Sequence, residues 1–278
     1  MRGNGSMKTV RILFIGDIVG IPGQAMFQKH IASIRSTYAI DGLVVNGENS
    51  SSRGRGITPQ IATLFKQCGV DVITSGNHIW DAREIYGYIA ENKHLVRPAN
   101  YPSDTPGAGF SLFTCKGVTI AVINIQGRVF MKDHLECPFR TVESILTYVK
   151  TKTNLIFVDV HAEATSEKMG LGFYLDGKVT GVVGTHTHTQ TADERILPQG
   201  TAYISDLGMT GALNSMLGMK KGPIIQHFLT QMPVKFEVED QGPMVLYGAW
   251  IEADVQTGKA VRIERIKVID DQIHVINN

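Results

Sequence analysis

Five short apolar runs in this chain each stop at residues able to hold a metal ion or move a proton. Ile12-Leu13-Phe14-Ile15-Gly16 ends at Asp17, and Leu43-Val44-Val45-Asn46-Gly47 ends at Glu48 and Asn49. Val72-Ile73-Thr74-Ser75-Gly76 ends at Asn77 and His78. Ile156-Phe157-Val158-Asp159-Val160 ends at His161, and Val182-Val183-Gly184-Thr185 ends at His186 and His188. Runs this short and continuous read as strands buried on both faces, as in parallel sheets. In an open α/β sheet the functional crevice lies beyond the carboxyl ends of the strands, where residues far apart in sequence converge.

Each of these residues has an ordinary role when taken alone. Asp17 would cap a helix, Glu48-Asn49 would make a solvated turn, Asn77-His78 would open a helix, and His161 would be a satisfied core imidazole. His186 and His188, two apart, would share one polar edge of a strand. Five such endings at the same end of five strands are not accounted for in that way. Glycines shortly before the ligands, at Gly16, Gly47, Gly76 and Gly184, permit a sharp exit or a close backbone approach. The set holds carboxylates, carboxamides and imidazoles but no thiolate, a donor mixture suited to manganese, iron, zinc or similar divalent ions.

The segments between the runs complete a βαβα alternation. Strands are expected at 10–15, 43–45, 70–74, 155–160 and 179–183, and helices at 25–38, 57–67, 81–91 and 141–150. Thr58 and Pro59 supply an N-cap and a first-turn residue. Residues 110–114 and 118–125 form a hairpin across Cys115-Lys116-Gly117, and 244–275 reads as antiparallel strands around Gly258. There is no internal repeat and no low-complexity linker. A single α/β domain over residues 7–278, with a mixed sheet or two stacked sheets, is expected; residues 1–6 read as an added leader.

A chain of 278 residues buries enough surface to fold without disulfides or a structural metal, so a metal here serves function. Cys68, Cys115 and Cys137 are odd in number and lack CxxC spacing, which argues for free thiols and a cytoplasmic setting. No apolar run is long enough to span a membrane. The formal net charge of +1 gives no global attraction to DNA or to an anionic bilayer. Gly16-x-x-x-Gly20-x-x-Gly23 is not the dinucleotide fingerprint and no GxxxxGK[ST] loop occurs, which disfavours NAD enzymes and P-loop ATPases.

Gly16-Asp17, Gly47-Glu48-Asn49, Gly76-Asn77-His78, His161 and Gly184-Thr185-His186-Thr187-His188 together resemble the calcineurin-like metallophosphoesterases, and more closely their YmdB-type bacterial branch. The likeness runs from Arg11 to about Lys267. Two departures stand out: Asp17-Ile18-Val19 lacks the histidine of the common Asp-x-His motif, and Glu48 replaces the aspartate of the usual Gly-Asp.

The resemblance implies an α/β/β/α sandwich of two mixed sheets flanked by helices. It also implies two divalent ions, with iron or manganese preferred over zinc or magnesium. Asp17, Glu48, Asn49 and His188 would bind one, and Glu48, Asn77, His161 and His186 the other, with Glu48 bridging and Asn49 filling the position vacated by the missing histidine. His78 is the candidate general acid. Arg53, Arg55 and Arg128 are candidate phosphate contacts, weighed against ordinary solvated loop arginines.

The expected activity is hydrolysis of a small nucleotide phosphodiester, with 2′,3′-cyclic nucleotides favoured through the branch resemblance. Rival readings are a phosphomonoesterase or 5′-nucleotidase, and a regulatory binding protein ordered by its metals. An RNA end is a second candidate substrate, no membrane partner is expected, and a homo-oligomer is compatible with the sequence.

Overall fold

The computed structural model describes residues 8–269 and the backbone of 272–274, so the expected leader at 1–6 lies outside the described residues. The chain opens with β1 (Thr9–Ile15), β2 (Asp17–Ile18), α1 (Gly20–Thr37), β3 (Gly42–Asn46), α2 (Pro59–Gln67), β4 (Val72–Thr74) and α3 (Ile85–Glu91). It continues through β5 (Phe110–Cys115), β6 (Val118–Gln126), α4 (Pro138–Val149), β7 (Ile156–His161), α5 (Thr165–Leu175) and β8 (Gly181–Thr185). It closes with β9 (Arg195–Ile196), β10 (Ala202–Ile204), β11 (Met209–Ala212), α6 (Lys221–Thr230), β12 (Met244–Asp254), β13 (Ala260–Ile269) and β14 (Gln272–His274).

One sheet is ordered β14-β13-β12-β1-β3-β4, with β11 joining β12 to β2; the other is ordered β5-β6-β7-β8-β10-β9. The strands that end in the candidate ligands run parallel within each sheet: β1, β3 and β4 in one, β7 and β8 in the other. The antiparallel tail pairs β12 with both β1 and β13.

Period-two alternation explains the stacking. In β1, Val10, Ile12 and Phe14 enter the core between the sheets, while Leu13 and Ile15 join the cluster beneath α1, α2 and α3. Phe14 meets Phe157 of the second sheet at a ring-centroid distance of 5.3 Å. The outer face of the second sheet packs Ile123, Ile156 and Val182 against Val142, Leu146 and Leu171 of α4 and α5. The result is the expected four-layer α/β/β/α sandwich.

Several boundaries differ from the sequence reading. Helix α1 starts at Gly20 rather than residue 25, because Pro22 in its first turn gives up an N–H that has no intrahelical partner there. The segment after β4 turns through residues 77–84 before α3 begins at Ile85. Thr58 caps α2 as expected, its hydroxyl accepting from the Ile61 amide. Helices α5 and α6 and strands β2, β9, β10 and β11 are not visible in the sequence pattern.

Candidate metal centre

Asp17 lies in β2, His161 is the last residue of β7, and the other expected ligands sit on the turns that leave β3, β4 and β8. Asp17, Glu48 and His161 are wholly buried. Gly76 lets the turn after β4 meet the end of β7, since a side chain there would place its Cβ 2.1 Å from the His161 ring. Glu48, His161 and His186 form one cluster, each offering an atom within 4.8 Å of the others.

His161 is the hub. Its Nε2 lies 2.9 Å from Asn77 Oδ1, 3.0 Å from Glu48 Oε1 and 3.1 Å from His186 Nδ1. Its other nitrogen faces Thr185 Oγ1 at 3.0 Å, and Thr185 donates its one proton to Asp159 Oδ1 at 2.7 Å. The hydroxyl therefore accepts from His161 Nδ1–H, which leaves the Nε2 lone pair turned toward the cluster. His186 is set in the same way: its Nε2 lies 3.1 Å from Glu163 Oε2, so Nδ1 turns inward. Carboxylate, carboxamide and imidazole lone pairs thus converge on one point, which a cation relieves.

A second half closes around Asn49. Its amide nitrogen lies 3.2 Å from Asp17 Oδ1 and 3.3 Å from Glu48 Oε1, two acceptors for its two hydrogens, and 3.2 Å from His188 Nε2. Turned by half a rotation about its terminal bond, the same amide would present oxygen to that point. His188 donates Nδ1–H to the Leu217 carbonyl at 3.0 Å, which commits Nε2 to face Asp17 Oδ1 at 3.5 Å. Glu48 borders both halves through Oε1, while its Oε2 accepts the His78 amide at 2.9 Å. The donor chemistry fits divalent ions of the kind expected.

The protonation states express the same crowding. Burial opposes charge on Asp17, but His188 and His161 outweigh it and hold the carboxyl far below its usual range. Burial likewise disfavours a charged His161, yet Glu48 and then Asp17 raise its pKa. Burial and the neighbouring His161 push His186 down to about 3. Burial also works against charge on His188, but Asp17 beside it lifts the ring to about 9. Burial raises Asp159 to about 6.

His186 and His188 do not lie on a strand edge. Strand β8 ends at Thr185, and both histidines adopt left-handed backbone, with φ of 96° and 60°. Such conformations cost about 1–3 kcal/mol each and persist where surroundings impose them. Here Asp206 does so: its Oδ2 accepts from the Thr187 amide at 3.2 Å and the Thr187 hydroxyl at 2.7 Å, and pairs with buried Lys168 at 2.8 Å.

His78 places Nδ1 2.9 Å from Asp81 Oδ2. Arg53 and Arg55 line a cavity of about 490 Å³ together with Asp81, Met219, Val234 and Phe236. Arg128 is on a separate loop after β6, where its amide is held by the Glu167 carboxylate at 3.0 Å, and it does not line that cavity. Sequence reasoning passed over Glu163, Asp159, Thr185, Lys168 and Asp206 as groups that orient the ligands; only their proximity in the fold reveals them. All three cysteines are free.

A four-layer α/β/β/α sandwich with an oxygen and nitrogen donor cluster at its strand ends defines a calcineurin-like metallophosphoesterase. Within that class the chain belongs to the YmdB-like protein family, whose sequence profile matches residues 13–266. It is 48% identical over 264 residues to the 2′,3′-cyclic-nucleotide 2′-phosphodiesterase of Bacillus subtilis (strain 168), covering 95% of this chain and 99% of that protein.

Among solved structures, a novel phosphatase of Mycoplasma pneumoniae superposes with a TM-score of 0.89 at 33% identity, covering 96% of this chain and 95% of that one. A hypothetical protein of Thermus thermophilus gives 0.86 at 38% identity, covering 94% and 100%. The NAD nucleotidase of Haemophilus influenzae shares the fold alone, with a TM-score of 0.60 at 14% identity over 98% of this chain and 58% of that one. Among the described residues no helix is long and apolar enough to cross a membrane.

Proposed function

We propose that this chain is a metal-dependent phosphodiesterase that hydrolyses a small nucleotide phosphodiester, with 2′,3′-cyclic nucleotides as its substrate class, and that residues 7–278 act as one domain. The observation that carries the reading is the meeting of lone pairs from Glu48, Asn77, His161 and His186 on one point, beside Asp17, Asn49 and His188. The activity named for the Bacillus subtilis relative supports the substrate class.

Asp17, Glu48, Asn49 and His188 would hold one ion and Glu48, Asn77, His161 and His186 the other. When bound, such a pair supplies an activated water and positive charge against the phosphate oxygens. The thiolate-free donor set suits manganese, iron or zinc, and the family resemblance puts iron or manganese ahead of zinc or magnesium.

His78 serves as the general acid. Asp81 engages Nδ1, so Nε2 is the nitrogen free to meet substrate, and the His78 amide, bonded to Glu48 Oε2, fixes the residue against the cluster. Water adds across the P–O2′ bond: phosphorus gains the oxygen, and the departing 2′ oxygen takes its proton from His78. Arg53 and Arg55 contact the phosphate or ribose from the adjoining cavity, and Arg128, on its separate loop after β6, is a further candidate phosphate contact.

Assays of metal-loaded protein against adenosine 2′,3′-cyclic phosphate and adenosine 5′-phosphate test the proposal. Cleavage of the cyclic diester is expected. Cleavage of the monoester alone would overturn the diesterase reading.

A further inference from the structure

A cavity of about 740 Å³ opens between the N-terminal half of α1 and residues 235–240. It shares Arg53 and Phe236 with the cavity that holds Arg55 and Asp81, so the two adjoin across those side chains. Its size is within the range of about 300–1,000 Å³ typical of small-molecule sites.

Its walls combine two chemistries. Pro22, Met26, Val238 and Phe236 supply apolar surface, and Phe236 is 41% exposed with the Arg55 guanidinium 6.0 Å from its ring centroid. Four cations, Lys29, Arg53, Lys220 and Lys235, line it against two carboxylates, Glu237 and Asp240. Lys220 and Lys235 both reach Glu237, at 3.1 and 3.7 Å, through exposed contacts of the weak kind that give way to another anion. An exposed aromatic face within a cationic groove is how proteins hold single-stranded nucleic acid.

The substrate chemistry supplies the occupant. A 2′,3′-cyclic phosphate engages both the 2′ and 3′ oxygens of its ribose, so the molecule can extend from it only through the 5′ oxygen. A free mononucleotide brings one base and one phosphate. A chain end brings a second base and a phosphodiester, which match the apolar wall and the cationic rim of the second cavity.

We propose that the larger cavity is a second nucleotide subsite, and that the preferred substrate is an RNA 3′ end closed as a 2′,3′-cyclic phosphate, its penultimate nucleotide seated between Phe236 and α1. The proposal rests on the phosphodiesterase reading, and the test separates the two. Kinetics of the metal-loaded protein are compared for adenosine 2′,3′-cyclic phosphate and for the adenosine dinucleotide ending in the same group. The dinucleotide should show a KM about tenfold lower, the effect expected of one stacked base.

Ala25 is an exposed residue of α1 that lines the larger cavity and not the smaller. Ala25→Trp should fill the subsite, erase the dinucleotide's advantage and leave the mononucleotide's kinetics unchanged. Calorimetry with the two 3′-phosphate products should show the same preference and the same loss. Equal KM values and equal product affinities in the unaltered protein would overturn the subsite, as would an advantage that survives Ala25→Trp. If neither cyclic phosphate is cleaved while the dinucleotide product still binds more tightly, the phosphodiesterase reading falls and the subsite stands.

Discussion

Thr185 has one hydroxyl proton, and its destination decides which nitrogen of His161 faces the cluster. Because Asp159 takes that proton, replacing Thr185 by Val removes the acceptor for His161 Nδ1–H and frees the ring to choose its tautomer. Manganese affinity of Thr185→Val, measured by calorimetry, should fall about 10- to 100-fold, the usual effect of losing an orienting partner. His78→Ala should behave differently, losing about 10²- to 10⁴-fold in kcat while elemental analysis shows unchanged metal content. His188 carries a pH signature in metal-free protein. Its pKa rises to about 9 on folding from an ordinary 6.5, so the folded state binds the extra proton between those values. The associated stability is fully present below pH 6.5 and is lost as pH rises through 9, an effect on the order of 3 kcal/mol. Chemical denaturation should show that decline, and His188→Gln should flatten it. The ligands themselves were legible because each follows an apolar run. Asp159 was not: it interrupts such a run, and one of its partners, Thr74, lies 85 residues away on the other sheet.

At the scale of elements, the turn after β8 depends on a helix that the sequence pattern hides. Helix α5 carries Gly170 and Gly172, which weaken the helical pattern, and a side chain at Gly172 would place its Cβ 2.6 Å from the Tyr203 ring. That helix nevertheless delivers Lys168 to Asp206 beneath the turn that bears His186 and His188, and Glu167 to the Arg128 and Val129 amides. Lys168→Met would leave the Asp206 charge buried without its partner, a loss of about 3–5 kcal/mol in urea unfolding. The strained turn would relax with it, so metal affinity should fall in the same variant. Pairing Lys168→Met with Asp206→Leu should restore much of the stability but not the affinity, because no acceptor then holds the Thr187 amide and hydroxyl. By contrast, α2 was legible down to its cap, since Thr58-Pro59 acts through purely local chemistry.

Across the whole molecule, the candidate ligands divide between the two sheets. Asp17, Glu48, Asn49 and Asn77 leave the eight-stranded sheet, while His161, His186 and His188 leave the six-stranded one. Their common end was readable from the apolar runs, but the division was not, because a run buried on both faces looks the same in either sheet. The consequence is mechanical. The sheets are joined along their length by the apolar core around Phe14 and Phe157, and near the cluster by the Thr74 hydroxyl bonded to Asp159. A cation held by both sets of ligands would close the strand ends against one another, and binding only to the folded arrangement would stabilise it. At a free metal concentration of 100 times Kd that stabilisation is about 2.7 kcal/mol, or roughly 5 °C in Tm for a chain of this size. Chelation should therefore lower Tm by about that amount, and hydrogen exchange should quicken together at the carboxyl ends of β4 and β8. Exchange that quickened at one sheet alone would show that the ions do not bridge the layers.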